Sequence, residues 1–325
     1  MKKAKTVFIA AGALVLLGCI IFGGAMMALG WNFTSLSTAK YETNEHEMTG
    51  EFTEITVSTE TAKIMIVPSE DGKCRVVCRE RINARHSVTV ADGKLTVSMV
   101  DGRKWYEHIF DFGRDTVTVC LPETAYASLA VENATGNVTL ADGFTFGTAE
   151  IKTSTGRTVC YANVTDCLKI RASTGSISVE NATVGALDLS ASTGSVTVAS
   201  VTCAGDADIR VSTGGTHLSS FTCKNLTTDG DTGNILLWDV TADGKFSIER
   251  STGYIRFEGC DAAEISVKTS TGNVTGRLLS PKIFDAKSDT GRVDVPDTKE
   301  GGPCKIRTGT GKIRITLAEE PSEEV

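Results

Sequence analysis

Residues 169–200 read KIRASTGSISVENATVGALDLSASTGSVTVAS, and their internal spacing decides the fold. Ser-Thr-Gly occurs twice, ending at Gly175 and Gly194, 19 residues apart. Ile177 and Val179 follow the first glycine by two and four residues, as Val196 and Val198 follow the second. Leu187 and Leu189 precede Gly194 by seven and five. A spacing of two is the strand period, which puts alternate side chains on opposite faces. Outward from this stretch, Thr-Gly recurs at Gly136, Gly156, Gly175, Gly194, Gly214, Gly233, Gly253, Gly272, Gly291 and Gly311, always 19 or 20 residues apart. A fixed period of this length marks a solenoid.

The repeat gives an all-β fold, a parallel β-solenoid (β-helix) of about ten 19–20-residue coils over residues 129–317. Each coil is a strand, a Thr-Gly corner, a second strand and a looser return. The ten glycines are assigned as structural corners, because a sharp bend repeated in register needs positive φ or close backbone approach. The preceding Ser and Thr hydroxyls are expected to bond the turn backbone and form a ladder. Residues 51–128 keep the strand period without the Thr-Gly marker and have turn signals at Asp71-Gly72, Asp92-Gly93 and Asp101-Gly102. They read as irregular coils capping the solenoid, since terminal repeats must hide an open edge. Lys312 and Arg314 are expected to charge the last strand, and residues 318–325 read as an acidic disordered tail.

At the other end, Lys2, Lys3 and Lys5 lie in a short segment, residues 1–6, ahead of an apolar run over residues 7–30. That run is long enough for one transmembrane helix, and the lysines put the N-terminus in the cytoplasm and the solenoid outside. Two other readings stand beside the anchor. Leu16-Leu17-Gly18-Cys19 resembles a lipobox that would make Cys19 a lipidated first residue, and a cleaved signal peptide would give simple secretion. Residues 31–50 are polar and read as a stalk.

Composition narrows the function more than it identifies one. With 33 Lys and Arg against 40 Asp and Glu the chain carries −7, so nucleic acid is excluded as the expected partner. Asp188 and Asp208 are expected to stack about 5 Å apart, the separation of a retaining glycosidase pair. Lys169 and Arg210 beside them make an ion-paired face the expected reading. His46, His86, His108 and His217 are scattered, no Cys-x-x-Cys pair is present, and no nucleophile, base and orienter converge. No catalytic residue, cofactor site or metal site is therefore assigned. Of the ten cysteines, Cys74 and Cys78 lie roughly 13 Å apart along one strand, too far to bridge. Cys203 and Cys223 stack within reach but are expected to stay free, like the core thiols Cys160 and Cys304.

One segment breaks the β pattern. Trp105, Tyr106, Phe110 and Phe112 crowd into residues 104–112 of a chain with only 6% aromatics. It reads either as a hydrophobic plug on the solenoid end or as the partner-binding surface.

The Leu121-Pro122 strand end, the strand at Leu129-Ala130-Val131 and the train of Ser-Thr-Gly coils resemble the bacterial DUF4097 family, the toastrack domain, to which an adhesin label is attached. The resemblance spans about residues 52–317, with Cys120 standing where the family usually has an aromatic. It implies a β-solenoid displayed at the cell envelope, accompanying membrane proteins and regulators of envelope stress. No catalytic residue carries over. The expected function is a non-catalytic binding or sensing scaffold whose partner is an envelope protein, the membrane surface or a cell-wall component. A carbohydrate-active β-helix enzyme and a structural spacer are the alternatives.

Overall fold

A computed structural model describes residues 2–28, 30–31, 40–102 and 115–318. One helix, Lys2–Ala28, opens the chain, and all 24 strands that follow share one hydrogen-bonded sheet wound into a β-solenoid of about ten turns. Within the helix, Ala11–Ala28 is long and apolar enough to cross a membrane, a test that a signal sequence also passes.

The columns read from the repeat stack in register. Leu187 pairs with Ala207 and Leu189 with Ile209, while Val196 pairs with Thr216 and Val198 with Leu218. Leu187, Leu189, Val196 and Val198 are at most 1% exposed. Nine of the ten corner glycines have φ between 131° and 156°. At Gly194 a Cβ would fall 1.9 Å from the Gly175 carbonyl oxygen one rung below, so both conformation and space demand glycine. Gly291 differs: its φ is not left-handed, and its N–H is taken by Ser288 Oγ at 2.8 Å. The expected hydroxyl ladder gives way to a backbone one, in which Gly175 N–H donates to Thr193 O at 2.8 Å and Gly194 N–H to Thr213 O at 2.9 Å. Among the described residues only Thr290, of the threonines next to a corner glycine, bonds backbone through its hydroxyl, to Gly309 O at 3.4 Å.

A second corner replaces the loose return. Asn181, Ser200, Ser220, Asp239 and Gly259, each six residues past a corner glycine, have φ between 48° and 66°. These residue types tolerate the left-handed region or, as glycine, enter it freely. Beyond that corner a third short face buries Ala182, Val201, Phe221, Val240 and Cys260, then Val184, Cys203, Cys223, Ala242 and Ala262. The column three residues before the corner also points inward, and it holds Arg250 at 2% exposure. Gly230 makes room for this side chain one rung below, since a Cβ there would lie 2.4 Å from Arg250 Nη1. Arg250 Nη1 donates to Val211 O at 2.7 Å, and burial lowers the guanidinium pKa against the pull of Asp229 and Asp231.

Stacking order departs from chain order at both ends. Ile255–Thr271 pairs with Gly302–Thr310, and Lys282–Ser288 pairs on the outer side of Gly302–Thr310. The Gly311 coil is thus inserted between the Gly272 and Gly291 coils, and Lys312 and Arg314 do not lie on the outermost rung. Cys304, Ile306, Ile313 and Ile315 are at most 3% exposed, as a doubly paired rung requires. The coil left outermost has Val293 at 38% exposure and a charged rim of Asp285, Lys287 and Asp294, the composition that discourages further strand pairing.

At the other end, Glu54–Thr61 and Lys63–Pro68 form a coil between the Gly136 coil and a coil made of Lys94–Asp101 and Thr116–Leu121. Its corner residue is Ala62, not glycine. An antiparallel cap covers the end: Cys74–Arg81 pairs with Thr116–Leu121, and Ala84–Ala91 with Lys94–Asp101. The polar stalk expected over 31–50 is corrected in its second half, where Tyr41–Met48 is a strand antiparallel to Cys74–Arg81. An edge strand exposes one face and one rim, so it forms without an apolar run. Its charged outer residues pair across the strands, with Glu47 on Lys73 at 2.7 Å and Glu45 on Arg75 at 2.8 Å.

Candidate functional site

Three places in this framework carry chemistry: the outward face beside the corner ridge, the corner of the outermost parallel coil, and the buried end of the cap. On the outward face, a shallow groove of about 530 Å³ runs past Ser58, Lys152, Ser154, Arg171, Ser173 and Ser192. Its cations are already engaged. Lys152 lies 3.3 Å from Glu132 and 3.5 Å from Glu150, and Arg171 Nη1 donates to Asp188 Oδ1 at 2.7 Å. Asp188 and Asp208 are paired residues on adjacent rungs, as the spacing predicts. Each is held by an arginine, Arg171 on Asp188 and Arg210 on Asp208. Burial pushes the Asp208 carboxyl above its ordinary range, Arg210 opposes that, and Asp188 adds to it. The face is an ion-paired surface.

Segment 104–112, with Trp105, Tyr106, Phe110 and Phe112, lies outside the described residues. Its point of departure is fixed. Register runs Ser58 with Ser98 on one side of the corner and Lys63 with Thr116 on the other. Residues 59–62 of one coil therefore correspond to residues 99–115 of its outer neighbour. The insertion grows from the corner ridge, in the outermost parallel coil, where every regular coil turns on one glycine.

The cap holds a cluster that spacing alone did not reveal. Cys78 and Glu80 face inward from Cys74–Arg81, and the turn at Ile82 and Asn83 brings His86 of Ala84–Ala91 back over them. One ligand-type atom of each of the three lies within 4.8 Å of the other two. Glu80 Oε2 accepts the His86 backbone N–H at 2.6 Å and lies 2.6 Å from His86 Nδ1, while Glu80 Oε1 accepts from Asn44 Nδ2 at 2.8 Å. Both ionisable side chains are 1% exposed. Of the other histidines, His46 lies on the edge strand, His217 is exposed, and His108 is outside the described residues. The sequence signal was the inward alternation Cys74, Val76, Cys78, Glu80, which places a carboxylate where the strand period demands an apolar residue.

All ten cysteines are free thiols. Burial pushes Cys78 and Cys160 up to about 12, with Glu80 adding to the shift at Cys78. Such thiols stay protonated at neutral pH and are poor nucleophiles.

Among solved structures, the fold is similar to three proteins named "putative adhesin". That of Parabacteroides distasonis is 12% identical, with a TM-score of 0.45, 86% of this chain and 98% of that one covered. That of Bacteroides fragilis is 14% identical, with a TM-score of 0.43, 86% and 99% covered. That of Parabacteroides merdae is 13% identical, with a TM-score of 0.45, 86% and 98% covered. No curated protein matches the chain. The Toastrack DUF4097 family matches residues 52–220 and 204–325, nearly the whole of the solenoid and its cap. The chain therefore belongs to the Toastrack DUF4097 family.

Proposed function

We propose that this protein is a non-catalytic binding scaffold tethered to a bacterial membrane by its N-terminal helix, with the solenoid on the outer side. Lys2, Lys3 and Lys5 ahead of the apolar helix support the orientation. The observation that carries the reading is the contrast between the repeated faces and one corner. The outward columns are neutralised by their own ion pairs, which favours solubility over an energetic centre for binding. The outermost parallel coil replaces its corner with a segment bearing Trp105, Tyr106, Phe110 and Phe112 beside Arg103. Interface energy concentrates in such Trp, Tyr and Arg residues. The adhesin names of the similar structures favour a surface or envelope component as the partner. Envelope-stress sensing is one use of such a contact.

The test is Trp105→Ala with Tyr106→Ala in the full chain. The expected result is an unchanged Tm with weaker capture of envelope proteins, or weaker co-sedimentation with vesicles or cell wall. A stability loss of about 3 kcal/mol or more, the cost of emptying buried aromatic positions, with binding intact, makes the segment a plug and overturns the reading.

A further inference from the structure

The cluster at the cap keeps an imidazole and a carboxylate, two groups that a folded core ordinarily excludes, beside a buried thiol. His86 Nε2 is buried with no hydrogen-bond partner among the described residues. The Cys78 thiol, like those of buried Cys74 and Cys304, makes no hydrogen bond among the described residues, whereas Cys160, Cys203 and Cys260 donate to backbone carbonyls. The buried Glu80 carboxylate lies within 4.8 Å of both residues and against the Nδ1 side of His86. Unpaired buried polar atoms are costly, and their survival in a native core asks for an unseen partner.

We propose that Cys78, Glu80 and His86 form a binding site for a divalent transition cation of the zinc class. One sulfur, one imidazole nitrogen and one carboxylate oxygen are the donor types zinc takes, whereas calcium and magnesium take oxygen alone and copper(I) prefers sulfur without a carboxylate. Binding forms a metal–sulfur bond and releases the Cys78 proton to solvent, with no change of oxidation state. Asn44, already bonded to Glu80, orients the carboxylate from the neighbouring strand, as outer partners of metal ligands do. His46 occupies the same face of that strand as Asn44, opposite Val76, and its Nε2 also lacks a hydrogen-bond partner among the described residues. Its ring lies outside the group of mutually close ligand atoms.

The site joins the two walls of the cap. Cys78 and Glu80 belong to the wall built with Tyr41–Met48 and Thr116–Leu121, and His86 to the wall paired with Lys94–Asp101. A bound ion crosslinks them beside the strand from which the aromatic insertion departs. This inference is independent of what that insertion binds.

The experiment uses the full chain in detergent, stripped with a chelator and titrated with Co²⁺ and then Zn²⁺. The expected result is one cobalt per chain with a thiolate-to-cobalt charge-transfer band, displaced by one equivalent of zinc, and a higher Tm with zinc than without. Cys78→Ser removes the band, Cys160→Ser keeps it, and Glu80→Gln or His86→Gln weakens zinc binding by about 10-fold or more. Should Cys78→Ser fail to fold, X-ray absorption on the zinc-loaded wild type decides, with one sulfur in the first coordination sphere expected. Failure to saturate at one ion per chain, a band that survives Cys78→Ser, or a sulfur-free coordination sphere overturns the proposal.

Discussion

Gly194→Ala tests the corner in its most demanding form. The glycine has φ 141°, a region that residues with a side chain hardly enter, at a cost of about 1–3 kcal/mol. The new Cβ would sit 1.9 Å from Gly175 O and 2.6 Å from its carbonyl carbon, against a practical minimum of 3.0 Å. The rung must therefore open by about 1 Å on its Gly175 side, which weakens the Gly175 N–H bond to Thr193 O across that gap, worth about 1 kcal/mol. Together the two effects predict a loss of about 3 kcal/mol. Thr197→Ala, on the half-buried outward column of the adjoining strand, is expected to cost at most about 0.5 kcal/mol. Ser178 is the poorer control, because it is 4% exposed and its Oγ donates to Glu180 at 2.5 Å. Gly291→Ala provides an internal comparison: its Cβ also meets a carbonyl oxygen at 1.9 Å, but its φ is ordinary and its coil is outermost. That coil lifts without parting another rung, so about 1 kcal/mol is expected. Urea unfolding of the full chain in detergent, followed by circular dichroism and tryptophan fluorescence, measures all three. Equal midpoints for Gly194→Ala and Thr197→Ala, or for Gly194→Ala and Gly291→Ala, would refute the reasoning.

Two further outcomes are expected. The Asp208 carboxyl is raised in the folded state by burial first, so its contribution to stability is present at acid pH and lost as pH rises through the folded value. Asp208→Asn is accordingly expected to raise Tm slightly at pH 7 and to leave it unchanged near pH 3, read by scanning fluorimetry, and a lower Tm at pH 7 would contradict this. Cys19→Ser is expected to leave the protein in the membrane fraction at unchanged size, because the 27-residue helix is long and apolar enough to cross a membrane by itself, whereas release or loss of a lipid label points to the lipobox.

A 19–20-residue period with apolar residues at fixed offsets from Thr-Gly was enough to give the solenoid, its in-register columns and the crowded corner at Gly194. Parallel stacking turns one-dimensional spacing directly into columns, so that part of the fold is legible before any contact is known. The second corner was legible in principle, since Asn181, Ser200, Ser220, Asp239 and Gly259 all suit a left-handed turn. Their differing identities hid the column. What tertiary structure alone decided is which rung lies beside which. Every coil presents nearly the same edge, so the period cannot state that the Gly311 coil enters between Gly272 and Gly291, or that residues 54–68 enter beneath Gly136. Burial decides it, by giving the doubly paired position to the coil with Ile306, Ile313 and Ile315 facing inward and the rim to the coil with the smaller Ala286, Val293 and Val295 in those columns. The same holds for Arg250 in the space beside Gly230, and for Cys78, Glu80 and His86. Those three residues become neighbours only because a two-residue turn folds one wall of the cap against the other, and no repeat encodes that turn.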